Sequence, residues 1–302
     1  MRVAIAGLGR MGRAFAAKIA GDDVAVTVWN RTAGPTGAFP QAATPAALVA
    51  AADIILSSLT DDAAVDAVYG GPEGLLSGPV AGRLFVEMST IRPETVQAIA
   101  ARAEALGARL IDAPVAGGPA VVAAGQSLAF VGGAPEDIER ARPVLDRFCR
   151  KIAPMGPLGS GTVMKLVANL PIGVYFQALA EGLALGQSHG LDLEAMLGVM
   201  VDSPGALAAL PRKIPAILGQ PGDVPFDIAG VRKDLLAMTA ACHRAGVPAP
   251  AATGALSAYA GATAAGWGAK DFSTIIRFWA EAVAGIENPP FAGESAERQR
   301  SG

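Results

Sequence analysis

Residues 2–20 confine the start of this chain to one local arrangement. Arg2-Val3-Ala4-Ile5-Ala6 is a short apolar run with the composition of a buried parallel strand, and 11–20 reads as an alanine-rich helix. Between them stands Gly7-Leu8-Gly9-Arg10-Met11-Gly12. In a strand-turn-helix, Gly7 permits the tight turn and Gly9 lets the backbone approach a pyrophosphate. Gly12 lets the helix pack closely on the strand, and the diphosphate sits at the helix N-terminus. The spacing therefore predicts a dinucleotide site over Gly7, Leu8, Gly9, Arg10, Met11 and Gly12; the plain alternative is a glycine turn without a ligand.

The pattern that follows repeats this beginning. Apolar strand-like runs at 24–29, 52–59, 84–88, 109–112 and 128–133 alternate with helical stretches, notably 93–106 and 135–148. Repeated βα units imply a doubly wound parallel sheet, so an α/β Rossmann domain is expected over 1–161. After Gly161 the strands stop. A long helical run over 162–189 ends at Gly190, a natural C-terminal cap. The chain of 302 residues thus reads as two domains, the second an all-helical substrate and dimerisation domain over 162–290, joined by that long helix; 291–302 reads as a loose tail. Residues 245–269 carry no charge, but they are mostly Ala, Gly, Thr and Pro, which fits a buried helix better than a membrane span.

Composition narrows the class of partner. The net charge is −3, aromatic residues make up 5% of the chain, and no basic cluster occurs, which points away from nucleic acid and towards a small molecule. Cys149, Cys242, His189 and His243 show neither metal-ligand spacing nor a disulfide framework. A cytoplasmic protein without a metal is expected. The 52% hydrophobic content and the small-residue helices predict a homodimer or larger assembly.

The second strand bears on the choice of cofactor. It ends at Asn30-Arg31-Thr32, about twenty residues beyond the glycines, where an NAD-selective site places an acid on the ribose 2′-hydroxyl. Here Arg31 can pair with a 2′-phosphate and lay its guanidinium on the adenine, and Asn30 and Thr32 can donate hydrogen bonds. NADP(H) is expected over NAD(H); Arg31 as a solvated loop residue is the alternative.

A nicotinamide enzyme needs a proton donor or acceptor within reach of the reacting oxygen. Lys165 and Asn169 stand four apart on the long helix, on one face, among Val163, Met164, Leu166, Val167 and Ala168. Apolar surroundings lower a lysine pKa towards neutrality, and the amide could orient the ammonium or a substrate hydroxyl. An ordinary lysine in the first turn of a helix fits the same residues.

Further motifs follow in order: Ser89-Thr90-Ile91-Arg92-Pro93, then Asp112-Ala113-Pro114-Val115-Ala116-Gly117-Gly118 with Gly125 after it. Next come 159–169 around Lys165, Lys233-Asp234-Leu235 and Asp271-Phe272-Ser273. With the glycine turn these resemble the β-hydroxyacid dehydrogenase family over nearly the whole chain. The resemblance implies that Lys165 is the general acid in carbonyl reduction and the base in alcohol oxidation, with Asn169 as its helical partner. It implies that Ala116, Gly117 and Gly118 form the loop that holds a substrate carboxylate, and that Leu59 and Thr90 lie along the cofactor. Lys233 reaches cofactor and substrate from the helical domain. Asp234 and Asp271 receive no role beyond shaping the cleft.

Two departures bear on the substrate. Ala116 stands where many members have serine, which removes a hydroxyl donor, and Leu170-Pro171 replaces a second asparagine and should kink the long helix. The expected activity is hydride transfer between a nicotinamide and a small β-hydroxyacid or aldehyde acid. An NADPH-dependent imine reductase and a noncatalytic NADP-binding module are the alternatives, and Lys165 argues against the first of these.

Overall fold

A computed structural model describes residues 1–32, 34 and 37–284. The chain runs β1 (Arg2–Ala6), α1 (Arg10–Ile19), β2 (Ala25–Trp29), α2 (Pro45–Ala50), β3 (Ile54–Ser57), α3 (Asp62–Gly70), β4 (Leu84–Glu87) and α4 (Pro93–Ala105). Then follow β5 (Arg109–Asp112), β6 (Val115–Ala116), α5 (Pro119–Ala123), β7 (Ser127–Gly132), α6 (Pro135–Leu145), β8 (Cys149–Gly156) and α7 (Ser160–Ser188). The last helices are α8 (Leu193–Val201), α9 (Leu210–Ile217), α10 (Ile228–Arg244), α11 (Pro250–Ala262) and α12 (Ile275–Val283). The described chain forms two compact units, one of residues 1–171 with 233–253, the other of 172–232 with 254 onward.

The first unit is built on one sheet in the order β2-β1-β3-β4-β5-β7-β6, with β8 paired to β7. Every residue of β3 and β4 is buried, as expected of strands covered by helices on both faces. Alternate residues feed two apolar layers. Val3, Ile5, Leu56, Val86 and Ile111 pack with Phe15 and Ile19 of α1 and Leu145 of α6. Ala4, Ile55, Phe85 and Leu110 pack on the opposite face with Leu48 of α2, Tyr69 of α3 and Ile99 of α4. β1 pairs β2 on one side and β3 on the other, so the winding reverses there, which is where an open α/β sheet receives its ligand. At the carboxyl edge the register aligns Ala6, Ser57, Glu87 and Asp112 across β1, β3, β4 and β5, so a polar row closes the second apolar layer.

The sheet is parallel from β2 through β5, as the alternating pattern anticipates. β7 then enters antiparallel to β5 and β6, while β8 pairs parallel with β7. β6 and β8 carry little sequence signal: β6 has two residues, and β8 exposes Arg150 and Lys151 and contains Pro154, the composition of an edge strand. The expected buried helix within 245–269 is shorter and one-sided. α11 buries Ala252, Ala255, Tyr259 and Ala262, and the segment after it turns at Gly266, whose φ is 85°. The tail at 291–302 lies outside the described residues.

α7 is helical without interruption through Pro171, and the division between the units follows that residue. Its length and composition would suffice to cross a membrane, yet it carries Lys165, Asn169, Gln177 and Glu181. In the second unit an aromatic cluster forms the centre: Phe176 meets Phe272 edge-on at 4.9 Å between centroids, and Phe226 lies 5.7 Å from Phe272. The Lys213 ammonium sits 2.7 Å from the buried Asp271 carboxylate, whose other oxygen caps Ser273 through N–H and hydroxyl. This gives the Asp271-Phe272-Ser273 motif a packing role.

Candidate active site

The shape of the glycine turn is set first by steric exclusion. Gly7 has a φ of 96°, and a Cβ there would lie 2.3 Å from the Ser58 carbonyl oxygen. A Cβ on Gly12 would lie 1.9 Å from the Gly7 carbonyl oxygen, whereas one on Gly9 would enter space free of described atoms within 4 Å. Two glycines therefore let the backbone pass close to other backbone, and the third faces an opening that a pyrophosphate would fit. The first intrahelical bond runs from Arg13 N–H to the Gly9 carbonyl, so the amides of Met11 and Gly12 lie ahead of it at the helix N-terminus. The residues present fit a dinucleotide.

Asn30 has a different task from the donor role expected of it. Its Oδ1 accepts from Leu8 N–H at 2.9 Å, and its Nδ2 donates to the Thr32 carbonyl at 2.8 Å. The amide thus ties the end of β2 to the glycine turn. Arg31 and Thr32 are exposed at the strand end. On the other side of the switch point, Leu59 N–H donates to Ser89 Oγ at 2.8 Å, and a Cβ on Gly7 would come within 3.0 Å of the Leu59 side chain. Thr90 follows Ser89, so Leu59 and Thr90 are carried by two loops bonded to each other.

Lys165 and Asn169 meet as their spacing predicts: Lys165 Nζ donates to Asn169 Oδ1 at 3.0 Å. Asn169 Nδ2 in turn donates to Asp234 Oδ2 at 2.7 Å. Because a carboxylate only accepts, Asp234 fixes which end of the asparagine amide faces the lysine. Lys233 lies 2.8 Å from Asp234 Oδ1 as an ion pair without hydrogen-bond alignment, and its Nζ donates to the Thr90 carbonyl at 2.6 Å. Residues 233–253 belong to the same unit as the sheet, so Lys233 holds the Thr90 loop from within that unit. Burial lowers the Lys165 pKa from its ordinary value; the charge of Asp234 opposes this and that of Lys233 adds to it. One ammonium hydrogen is committed to Asn169, leaving two for a substrate oxygen.

The loop expected to hold a carboxylate begins at Ala116, the last residue of β6. Gly117 has a φ of 116°, and a Cβ there would lie 2.6 Å from Val121; Gly118 caps α5. Among the described residues no hydrogen bond is seen to join this loop to Lys165. What couples them is Asp112, four residues upstream at the end of β5. Its carboxylate accepts from Gly159 N–H at 2.8 Å and Thr162 N–H at 2.6 Å, fastening the first turn of α7 to the sheet edge. Burial raises the Asp112 pKa and these two amides oppose it. Like Asp271, Asp112 and Asp234 are residues to which the sequence reading gave no chemical part. Both stand in motifs, but their partners are 47 to 65 positions away, so no local spacing reveals them.

Residues 2–156 match the family described as the NAD binding domain of 6-phosphogluconate dehydrogenase. Residues 159–279 match that described as NAD-binding of NADP-dependent 3-hydroxyisobutyrate dehydrogenase. A 2-(hydroxymethyl)glutarate dehydrogenase from Eubacterium barkeri is 31% identical, over 95% of this chain and 97% of its own. The structure of Mycobacterium tuberculosis 3-hydroxyisobutyrate dehydrogenase with L-serine is 30% identical, covers 92% of this chain and 98% of its own, and superposes with a TM-score of 0.75. That of 3-hydroxyisobutyrate dehydrogenase from Salmonella typhimurium is 26% identical, covers 92% and 99%, and superposes with a TM-score of 0.81. An imine reductase from Streptomyces aurantiacus, 24% identical over 92% of this chain and 99% of its own with a TM-score of 0.58, shares the fold alone. The chain belongs to the β-hydroxyacid dehydrogenase family and is an NAD(P)-dependent oxidoreductase acting on CH–OH groups.

Proposed function

We propose that the chain reduces a small aldehyde acid, or oxidises the matching β-hydroxyacid, with Lys165 as the general acid and base and with NADP(H) preferred over NAD(H). The observation that carries this reading is the chain of bonds Lys165–Asn169–Asp234, which aims a half-buried ammonium from the first turns of α7. The dinucleotide is held by Gly7 to Gly12, with Leu59, Thr90 and Lys233 beyond the pyrophosphate. When bound, its nicotinamide supplies or accepts the hydride. Backbone amides of Gly117 and Gly118, next to Ala116, hold the substrate carboxylate, and this fixes the neighbouring carbon. Lys165 Nζ donates a proton to the oxygen that gains charge in reduction and removes it in oxidation. Asn169 keeps the ammonium pointed at that oxygen, and Asp234 keeps Asn169 from turning.

The NADP(H) preference rests on Arg31 at the exposed end of β2 and on the lack of an acid at 30–32. The functional division is a nucleotide domain over 1–161 and a substrate and dimerisation domain over 162–290. A homodimer is supported by an apolar groove of about 940 Å³ between α7 and α8, where Leu185, Leu191 and Val199 are 63%, 57% and 73% exposed. Light scattering tests it: a dimer is expected, and a monomer sinks it. Cys149 and Cys242 are both free thiols, in keeping with the cytoplasm.

A rate panel tests the chemistry. NADPH and NADH are offered with succinic semialdehyde, glyoxylate, methylmalonate semialdehyde and a cyclic imine, to wild type and Lys165→Ala. Aldehyde-acid turnover is expected to fall about 10²- to 10⁴-fold in the variant, the size of a lost general acid. Imine turnover that survives the substitution would instead favour the imine reductase reading.

A further inference from the structure

Glu87 is fully buried at the carboxyl end of β4, in register with Ser57 of β3 and Asp112 of β5. Its Oε2 accepts from Ser57 Oγ at 2.5 Å and its Oε1 from Ser89 N–H at 2.7 Å. The Tyr69 hydroxyl lies 2.7 Å from Ser57 Oγ. Since the Ser57 hydrogen is committed to Glu87, Tyr69 donates to Ser57. With Glu87 ionised, the Ser57 and Tyr69 hydroxyls and the Ser89 amide can all point their hydrogens towards the carboxylate, so the network accommodates the charge. Burial pushes the Glu87 pKa up and the Ser57 and Ser89 donors pull against that rise. Among the described residues no ion pair reaches Glu87.

A buried carboxylate without a cation is costly, and a neutral amide could tie the same two loops together. The charge therefore calls for a counterpart. Arg31 stands at the end of β2 and the pyrophosphate opening at the start of α1, so the adenosine half lies to that side of the switch point. The nicotinamide half then falls over the ends of β3 and β4, where Glu87 holds the loops of Leu59 and Thr90 through Ser89. The nicotinamide ring is positively charged when oxidised and neutral when reduced.

We propose that Glu87 is a positioning residue of the nicotinamide half-site, and that its buried negative charge makes the site favour the oxidised cofactor over the reduced one. This rests on the dinucleotide reading of the site. The test is calorimetric binding of NADP⁺ and of NADPH, each alone, to wild type, Glu87→Gln and Tyr69→Phe, with circular dichroism to establish which variants fold. The ratio of the NADP⁺ to the NADPH dissociation constant is expected to rise about tenfold in Glu87→Gln, equivalent to about 1.4 kcal/mol. In Tyr69→Phe, which weakens support for the charge but keeps it, the ratio rises in the same sense by a smaller factor. A purely structural role would weaken both cofactors alike. An unchanged ratio in either folded variant overturns the proposal, and should Glu87→Gln not fold, Tyr69→Phe decides. Wild type that binds neither dinucleotide would overturn the cofactor reading itself.

Discussion

The glycine turn and the cluster around Lys165 lie in the same compact unit and are held in opposite ways. The turn is fixed by what cannot fit: a single added carbon at Gly7 or Gly12 meets backbone oxygen at 2.3 or 1.9 Å. The cluster is fixed by directed bonds, Lys165 to Asn169 to Asp234, the second of which spans 65 residues of sequence. Steric exclusion acts on single backbone positions, against the Ser58 carbonyl at Gly7 and against the Gly7 carbonyl at Gly12, and tolerates almost no substitution. A hydrogen-bonded cluster tolerates changes of shape but depends on which atom is the donor. Damage to the first should cost binding, and damage to the second should cost rate.

Gly12→Ala sharpens the contrast most. The methyl cannot be seated without moving the Gly7 carbonyl, so about 2–3 kcal/mol of strain is expected, read as a loss of dinucleotide affinity by calorimetry. A variant that binds normally would remove the steric account of the turn. Asp112→Ala strips the acceptor from the buried amides of Gly159 and Thr162, at about 2 kcal/mol. Its melting temperature and its kcat should fall together, because the helix that carries Lys165 is released at its first turn. Asp234→Asn leaves the volume unchanged but frees the Asn169 amide to turn. Here kcat should drop about tenfold, a factor equal to about 1.4 kcal/mol, while the cofactor dissociation constant stays put. If affinity fell and rate did not, the division between the two regions would fail. The smallest effect is expected at the exposed Arg31: in Arg31→Ser, NADP⁺ binding should weaken about fivefold, in line with about 1 kcal/mol for a solvated ion pair, with NAD⁺ binding unaltered.

The same difference explains what the sequence discloses. Gly7 to Gly12, the strands at 84–87 and 109–112 and the Lys165–Asn169 pair are legible because turn sterics, apolar runs and helical spacing are local rules. Asn30 was readable as a residue at the strand end but not as the tie between β2 and the turn, because its two partners depend on how the loop folds back. β8 escaped notice because an edge strand with Arg150, Lys151 and Pro154 lacks the apolar alternation that marks a buried one. Asp112, Asp234 and Glu87 acquire their parts only when β4, β5, α7 and α10 are brought together. The acid row at the sheet edge is a property of register, and register is not written in any one segment.

The central claim is that Lys165 carries the proton, and the pH dependence of kcat/KM in both directions tests it most directly. Burial lowers the Lys165 pKa below the ordinary lysine value of about 10.4. Reduction needs the ammonium, so its rate should fall as pH rises through that lowered pKa. Oxidation needs the neutral amine, so its rate should rise through the same inflection. The inflection should vanish in Lys165→Ala. An inflection that persists in the variant, or profiles that move in the same direction, would contradict the assignment.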